Sequence, residues 1–292
     1  MRALALFSIF PLVNAETCLT WRPSFVAFHF WCPISRFRLI ISPLAMSAAA
    51  PSRTSSTLLP YLSIFKTKVN LILASKSPRR QEILQLMGFD SKDFVVLPSD
   101  FPEDLDKRNF INPADYAQKN AECKAQEVAT KLFGGSSSGD VGKVGGQRDA
   151  GKKTTIVIGS DTIVDRDGII LEKPEDAQHA YAMLSSLSGR THLVHSGVAI
   201  YSSKGPKSGD GIPLPVVSFC ETARVDFAPL SEEEIWNYIR SGEPMDKAGG
   251  YGIQGLGGQV VRGIEGCYFT VMGMPMHKLS VALAQFAEDD QI

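Results

Sequence analysis

The residues richest in chemistry are Ser75–Lys76–Ser77–Pro78–Arg79–Arg80, directly behind the apolar run Val69–Ala74. The run is short, apolar and β-branched, as a buried strand should be. Ser77 suits a helix N-cap and Pro78 the first helical position. Ile83, Leu84 and Met87 then share a helical face, and Gly88 is a natural stop. A strand thus feeds a polar loop, and the loop feeds a helix N-terminus. Free backbone N–H groups and the helix dipole favour an anion there. Arg79 and Arg80 add charge in a geometry that grips phosphate bidentately. The same residues also fit an ordinary βα turn with surface arginines, so the rest of the chain must decide.

Further polar groups recur at element ends. Gly159–Ser160–Asp161–Thr162 closes the apolar stretch Thr155–Gly159, so the spacing predicts a carboxylate at the end of a buried strand. α/β enzymes place reactive groups there. Such an Asp holds a metal, activates water, or forms a turn. Glu172–Lys173–Pro174 follows another strand and reads as a solvated helix start or as a second carboxylate and cation. Lys124 sits seven residues after Ala117, beside a helical apolar stripe, so it snorkels to solvent or points into a polyanion site. Asp246–Lys247–Ala248–Gly249–Gly250–Tyr251–Gly252–Ile253–Gln254–Gly255 joins a charged pair, small residues and one amide. A Gln amide both donates and accepts, so Gln254 can read the edge of a base. Acids, cations and an amide on separate βα edges describe a phosphoanhydride site. Ser77 has no evident His partner, so a nucleophilic triad does not fit.

These groups need a scaffold. The chain has 292 residues, 44% hydrophobic and 21% charged, with a net charge of −1, which suits a globular enzyme. No basic, aromatic-interleaved stripe points to nucleic acid, and no run is long enough to point to a membrane. Residues 1–70 carry seven Lys or Arg and one acid, Glu16, leaving 23 basic and 30 acidic side chains beyond them. An acidic body that binds a polyanion must focus its positive charge, or use a divalent metal. The five cysteines show no CxxC pair or zinc spacing, which reads as free thiols in a reducing compartment.

Residues 1–68 read as an extension outside the folded domain. Three readings stand: a signal-like stretch ending at Val13–Asn14–Ala15, an acid-poor transit peptide, or an alternative start with Met46 as the true first residue. The cytoplasm follows from the last; a plastid or mitochondrion follows from the second. Residues 69–286 read as one α/β domain. The pattern predicts strands at Val69–Ala74, Phe94–Leu97, Thr155–Gly159, Thr191–Tyr201, Val216–Phe227, Val260–Ile264 and Tyr268–Val271. It predicts helices from Pro78, over Ala114–Leu132, over Ala177–Leu187, after the capping box at Ser231, and over Met276–Phe286. Ile163–Val164 and Ile169–Leu171 form a hairpin around Asp165–Gly168. Gly134–Gly151 is a polar, flexible loop.

LILASKSPRRQEIL, GSDTIVDRDGIILEKP, LSGRTH and DKAGGYGIQGLGG together resemble the Maf family of nucleotide pyrophosphatases, from Val69 to about Leu283. The resemblance implies an elongated Maf/inosine-triphosphatase-like α/β fold, a mixed sheet flanked by helices beside a nucleotide cleft. It implies hydrolysis of a nucleoside triphosphate to the monophosphate and pyrophosphate with a divalent cation, Mg²⁺ or Mn²⁺. Asp161 matches the catalytic acid. Arg79, Thr162 and Gln254 match positions tied to substrate choice. Ser75, Arg80, Lys124, Glu172, Lys173, Asp246 and Lys247 match other polar cleft positions. Metal ligands are then Asp161, Glu103 and Glu172, with Glu103 standing in for one of a usual acidic pair. The form of the last motif resembles the dTTP and UTP subfamily rather than the N7-methyl-GTP one. The alternatives are a pyrophosphatase for other modified nucleotides, or a nucleotide-sensing, division-regulating protein with little turnover. The family likeness also makes a homodimer the expected assembly.

Overall fold

Residues 57–133, 153–289 and 292 are described by the computed structural model. The polar loop Gly134–Gly151 and residues 1–56 of the expected extension lie outside them. Residues 57–68 do not stay outside the fold as expected. A 3₁₀ turn at Leu59–Tyr61 leads into helix α1, Leu62–Lys68. Leu58 and Phe65 are buried in the main core, because their apolar surface is worth removing from water.

The chain then runs β1 (Val69–Leu73), α2 (Pro78–Leu86), β2 (Phe94–Val96), α3 (Pro113–Phe133), β3 (Thr154–Arg166) and β4 (Ile169–Leu171). It continues through α4 (Ala177–Leu187), β5 (Thr191–Ser202), β6 (Val217–Phe227) and α5 (Glu232–Arg240). It closes with β7 (Val261–Glu265), α6 (Tyr268–Met272) and α7 (Met276–Glu288). Seven strands form one mixed sheet in the order β2-β1-β3-β5-β6-β7, with β4 paired to β3. Helix α5 starts at the expected capping box, Ser231 and Glu234 bonding each other's backbone. Helix α2 ends in a Schellman motif: Gly88, at φ +99°, and Phe89 donate back to Gln85 and Leu84.

Successive side chains alternate across the sheet. Ile156, Ile158, Val198 and Ile200 face one core with α2 and α7 residues, including Ile83, Leu84, Leu279 and Leu283. Val164, Val194, Val225 and Phe227 continue onto α4 and α5. The opposite face takes α3, whose Ala121, Ala125 and Val128 meet Val157, Ala199 and Tyr201. A methyl group on Gly159 would lie 2.6 Å from the Ala121 carbonyl oxygen, and one on Gly197 2.4 Å from that of Ala117. Glycine at these positions lets α3 lie directly on the sheet.

Two expected elements differ. The strand expected to end near Gly159 runs on to Arg166, because antiparallel pairing with β5 holds Gly159–Asp165 extended. Asp161 is therefore mid-strand, opposite Gly197. On the other edge, β1 leaves at Leu73↔Ile158 and β4 joins only at Val164↔Leu171. Gly159–Ile163 has one open edge between them, and this gap is the floor of the cleft. Tyr268–Val271, expected as a strand from its β-branched and aromatic residues, is the helix α6. Gly266 at φ +108° and Gly273 at φ +131° break the chain on either side. Phe269, Val271 and Met272 then turn back onto the cores instead of extending the sheet.

Candidate active site

A cleft of about 700 Å³ opens over that gap. Its walls include Ser75, Arg79, Arg80, Glu103, Lys124, Asp161, Thr162, Glu172, Lys173, Asp246 and Lys247, so eleven of the expected positions meet in one cavity. Gln254 is the exception. Its neighbours Gly252 and Ile253 line the cleft, while its own amide turns to Glu82 on α2, 2.8 Å away.

The centre is a three-charge cluster. Lys124 comes from α3, eight residues after Tyr116, and is 7% exposed. Its ammonium lies 2.6 Å from Asp161 Oδ1 and 2.9 Å from Glu103 Oε2. The sequence left Lys124 open between solvent and a polyanion; burial and two carboxylate partners place it in the cleft. Glu103 reaches it from the loop after β2, in a left-handed backbone conformation at φ +55°.

Beside this cluster, Arg80 fixes the polar loop. Its Nε donates to the Gly273 carbonyl at 2.9 Å and its two terminal nitrogens to Ser75 at 2.9 Å and Thr162 at 3.2 Å. Burial lowers the Arg80 pKa, against the opposing field of Asp161. The Thr162 hydroxyl also meets Ser196 at 2.8 Å and the Gly273 carbonyl at 3.2 Å. The Thr162 hydroxyl therefore holds Arg80 and has three partners within the protein. The Gly273 backbone carbonyl organises Arg80, Ser160 and Thr162 together, and no side-chain pattern could have announced it. Ser77 occupies the N-cap position of α2 without a side-chain capping bond, so its hydroxyl does not cover the first-turn N–H groups.

Arg79 pairs with Asp246 at 3.6 Å, and Lys247 with the same carboxylate at 2.6 Å. Burial alone would raise the Asp246 carboxyl, but Lys247 and then Arg79 outweigh it and hold it below the usual range. Glu243, which sequence reasoning missed, builds the glycine-rich turn that follows. Its carboxylate accepts from Leu256 N at 2.8 Å, Gly257 N at 3.1 Å and the Tyr238 hydroxyl at 2.9 Å. A methyl group on Gly255 would lie 2.3 Å from Glu243 Oε2.

The three expected metal ligands do not converge. Glu172 spends one oxygen on the Tyr116 hydroxyl at 2.7 Å and the other on Lys107 at 2.6 Å. Among the described residues no three His, Cys, Asp or Glu side chains group at metal-binding distances. Asp161 and Glu103 do share a small volume, because both touch Lys124. Two carboxylates completed by substrate phosphates suit Mg²⁺, which keeps few protein ligands. The donor set fits a divalent cation through Asp161 and Glu103, with Glu172 serving the wall.

Tyr251, also on the wall, is braced by His192, whose Nε2 lies 2.8 Å from the Tyr251 hydroxyl. Burial pushes the His192 pKa down to about 4. Below pH 6.5 the unfolded chain takes up a proton that the folded one refuses until about pH 4. Stability is therefore lost on acidification across that window, by up to about 3 kcal/mol. Urea melts of His192→Phe should lose this part of the pH slope; an unchanged slope would assign it to other groups.

The Maf-like protein family model matches residues 70–286. A human protein named probable bifunctional dTTP/UTP pyrophosphatase/methyltransferase protein is 48% identical over 209 residues, 71% of this chain. The match spans only 30% of that longer protein. A dTTP/UTP pyrophosphatase of Clostridium perfringens is 42% identical over 219 residues, 75% of this chain and 97% of its own. One from Thermococcus onnurineus is 43% identical over 206 residues, covering 70% and 92%. With a mixed sheet and a charged cleft where three of the four motifs meet, the chain belongs to the Maf-like protein family.

Proposed function

We propose that this protein hydrolyses dTTP and UTP to the monophosphate and pyrophosphate, by attack of water on the α-phosphorus. The observation that carries the reading is the buried Lys124 ammonium shared by Asp161 and Glu103 on the cleft floor. It sets a proton acceptor beside a fixed cation, opposite a helix N-terminus and its arginines. The curated relatives' names supply the nucleotide class.

In this reading Asp161 orients the water and accepts its proton. Lys124 stabilises the carboxylate and the charge gathering on the phosphoryl oxygens. Ser75, Arg79 and Arg80, with the first turn of α2, hold the phosphate chain; Lys173 and Lys247 flank it. A divalent cation held by Asp161 and Glu103 would neutralise phosphate charge. Catalysis is then positioning and electrostatics rather than covalent chemistry. Gly252 and Ile253, the wall just ahead of Gln254, flank the base, and Thr162 keeps Arg80 aimed. Among the described residues no helix is long and apolar enough to cross a membrane, and Cys123, Cys220 and Cys267 are free thiols, which supports a reducing compartment such as the cytoplasm.

The test is pyrophosphate release by the full chain from dTTP, UTP, CTP, N7-methyl-GTP and ITP, with Mg²⁺ or Mn²⁺. Preference for dTTP and UTP is expected. Preference for N7-methyl-GTP would keep the chemistry and overturn the base. Intact triphosphate throughout would favour a nucleotide sensor.

A further inference from the structure

Tyr116 brings one hydroxyl into a small apolar cluster. It is 1% exposed, packs with Ala117 and Ile163, and stands edge-on to Phe110 with 5.3 Å between ring centroids. The hydroxyl leaves that cluster to reach Glu172 Oε1 at 2.7 Å. Burial raises the pKa of the phenol and the Glu172 carboxylate adds to the rise, so the group stays protonated and donates. A phenylalanine ring would fill the same space, so packing alone does not call for the hydroxyl.

Glu172 is where three parts of the cleft meet. Its second carboxylate oxygen takes Lys107, on the connection between β2 and α3, at 2.6 Å. Its backbone carbonyl accepts from Gly249 N–H, on the glycine-rich turn, at 3.0 Å. Two cleft cations are set by this junction. Lys173 is the next residue, exposed between Glu172 and the buried Pro174. Lys247 lies two residues ahead of Gly249, whose own place is tight: it sits at φ +67°, and a methyl group there would lie 2.7 Å from Val164 Cγ2. A third cation, Lys124, projects from the same helix as Tyr116, two turns further on. Both side chains turn to β3, Tyr116 against Ile163 and Lys124 onto Asp161. The Tyr116–Glu172 bond therefore links the helix that carries the floor cation to the junction that carries the wall cations. It also keeps one carboxylate oxygen engaged in a cleft that must admit a polyanion.

We propose that Tyr116 is a positioning residue for the phosphate-binding wall. Its bond to Glu172 fixes the span between Lys124 on the floor and Lys173 and Lys247 on the wall, the span that a phosphate chain bridges. The inference rests on the reading of this cleft as a nucleoside triphosphate site.

The experiment uses the full-length wild type, Tyr116→Phe, Glu172→Ala and the double variant. It measures kcat and KM for UTP and, by calorimetry without turnover, the Kd of inorganic pyrophosphate. Tyr116→Phe keeps the ring against Phe110, so the fold stays. A wall that holds phosphates equally before and during the reaction affects binding alone. The KM for UTP and the Kd for pyrophosphate should then rise together by about five- to tenfold, with kcat within about twofold of wild type. In the Glu172→Ala background, Tyr116→Phe should add less than about twofold, because both substitutions remove the same bond. Unchanged KM and Kd would reduce the hydroxyl to packing and overturn the proposal. So would a fall in kcat without a rise in KM, or effects of the two substitutions that simply multiply. A wild type that binds pyrophosphate and leaves UTP intact would overturn the hydrolase reading instead, while the Kd values across the four proteins still decide for or against the span.

Discussion

Asp161→Asn should abolish useful turnover and leave the fold in place. The substitution conserves shape, and the remaining carbonyl oxygen still accepts from Lys124 Nζ, now 2.6 Å from Asp161 Oδ1. Lys124 is not left unpaired either, because Glu103 lies 2.9 Å from the same ammonium. What disappears is the negative charge and the ability to take a proton from water. Positioned general bases contribute about 10²–10⁴-fold, so kcat should fall by that order. The midpoint of urea unfolding should move little. Pyrophosphate release within about tenfold of wild type would remove Asp161 from the chemistry, and a large loss of stability would make the activity loss uninterpretable as catalysis.

The residues that this variant probes were legible because each local signal was strong. A β-branched run, a serine-proline pair and two arginines specify strand, loop and helix start within twelve residues, and the structure forms β1 and α2 there. The capping box at Ser231 and the stripe of Ala180, Met183, Leu184 and Leu187 were equally local. Long-range partners left no such trace. Lys124 depended on whether α3 packed with that face toward β3, which in turn depended on Gly159 and Gly197 leaving room for the helix. Arg80 depended on a backbone carbonyl 193 residues away. Tyr268–Val271 misled because β-branched and aromatic residues suit a strand and a buried helix turn alike, and flanking glycines decided. Glu172 carried the right residue type, but its two partners lie elsewhere in the chain: Tyr116 and Lys107. Residue types suggested the chemistry; burial and topology chose which acids share a cation.

That sharing makes Lys124 the second decisive position. Lys124→Met keeps the unbranched shape of the side chain, one atom shorter, and removes its charge. Asp161, 7% exposed, and Glu103 would then confront each other without the cation that now lies within 3 Å of both. Removing one member of a buried pair strands the other charge and costs about 3–5 kcal/mol. Because Glu103 is substantially exposed, solvent relieves part of that, and a stability loss near the lower end is expected. Turnover should fall by about 10²–10³-fold, the scale of losing one fixed charge-stabilising group. Glu103→Gln in the Lys124→Met background separates the two effects. It removes one of the stranded charges, so stability should recover by at least about 1 kcal/mol relative to the single variant. Activity should not recover, because no cation returns beside the attacked phosphate. Denaturant melts and pyrophosphate release across the four proteins of this cycle give both quantities. Additive stabilities would mean that the two carboxylates do not compete for one ammonium, and recovered turnover would mean that Lys124 serves the fold rather than the phosphate.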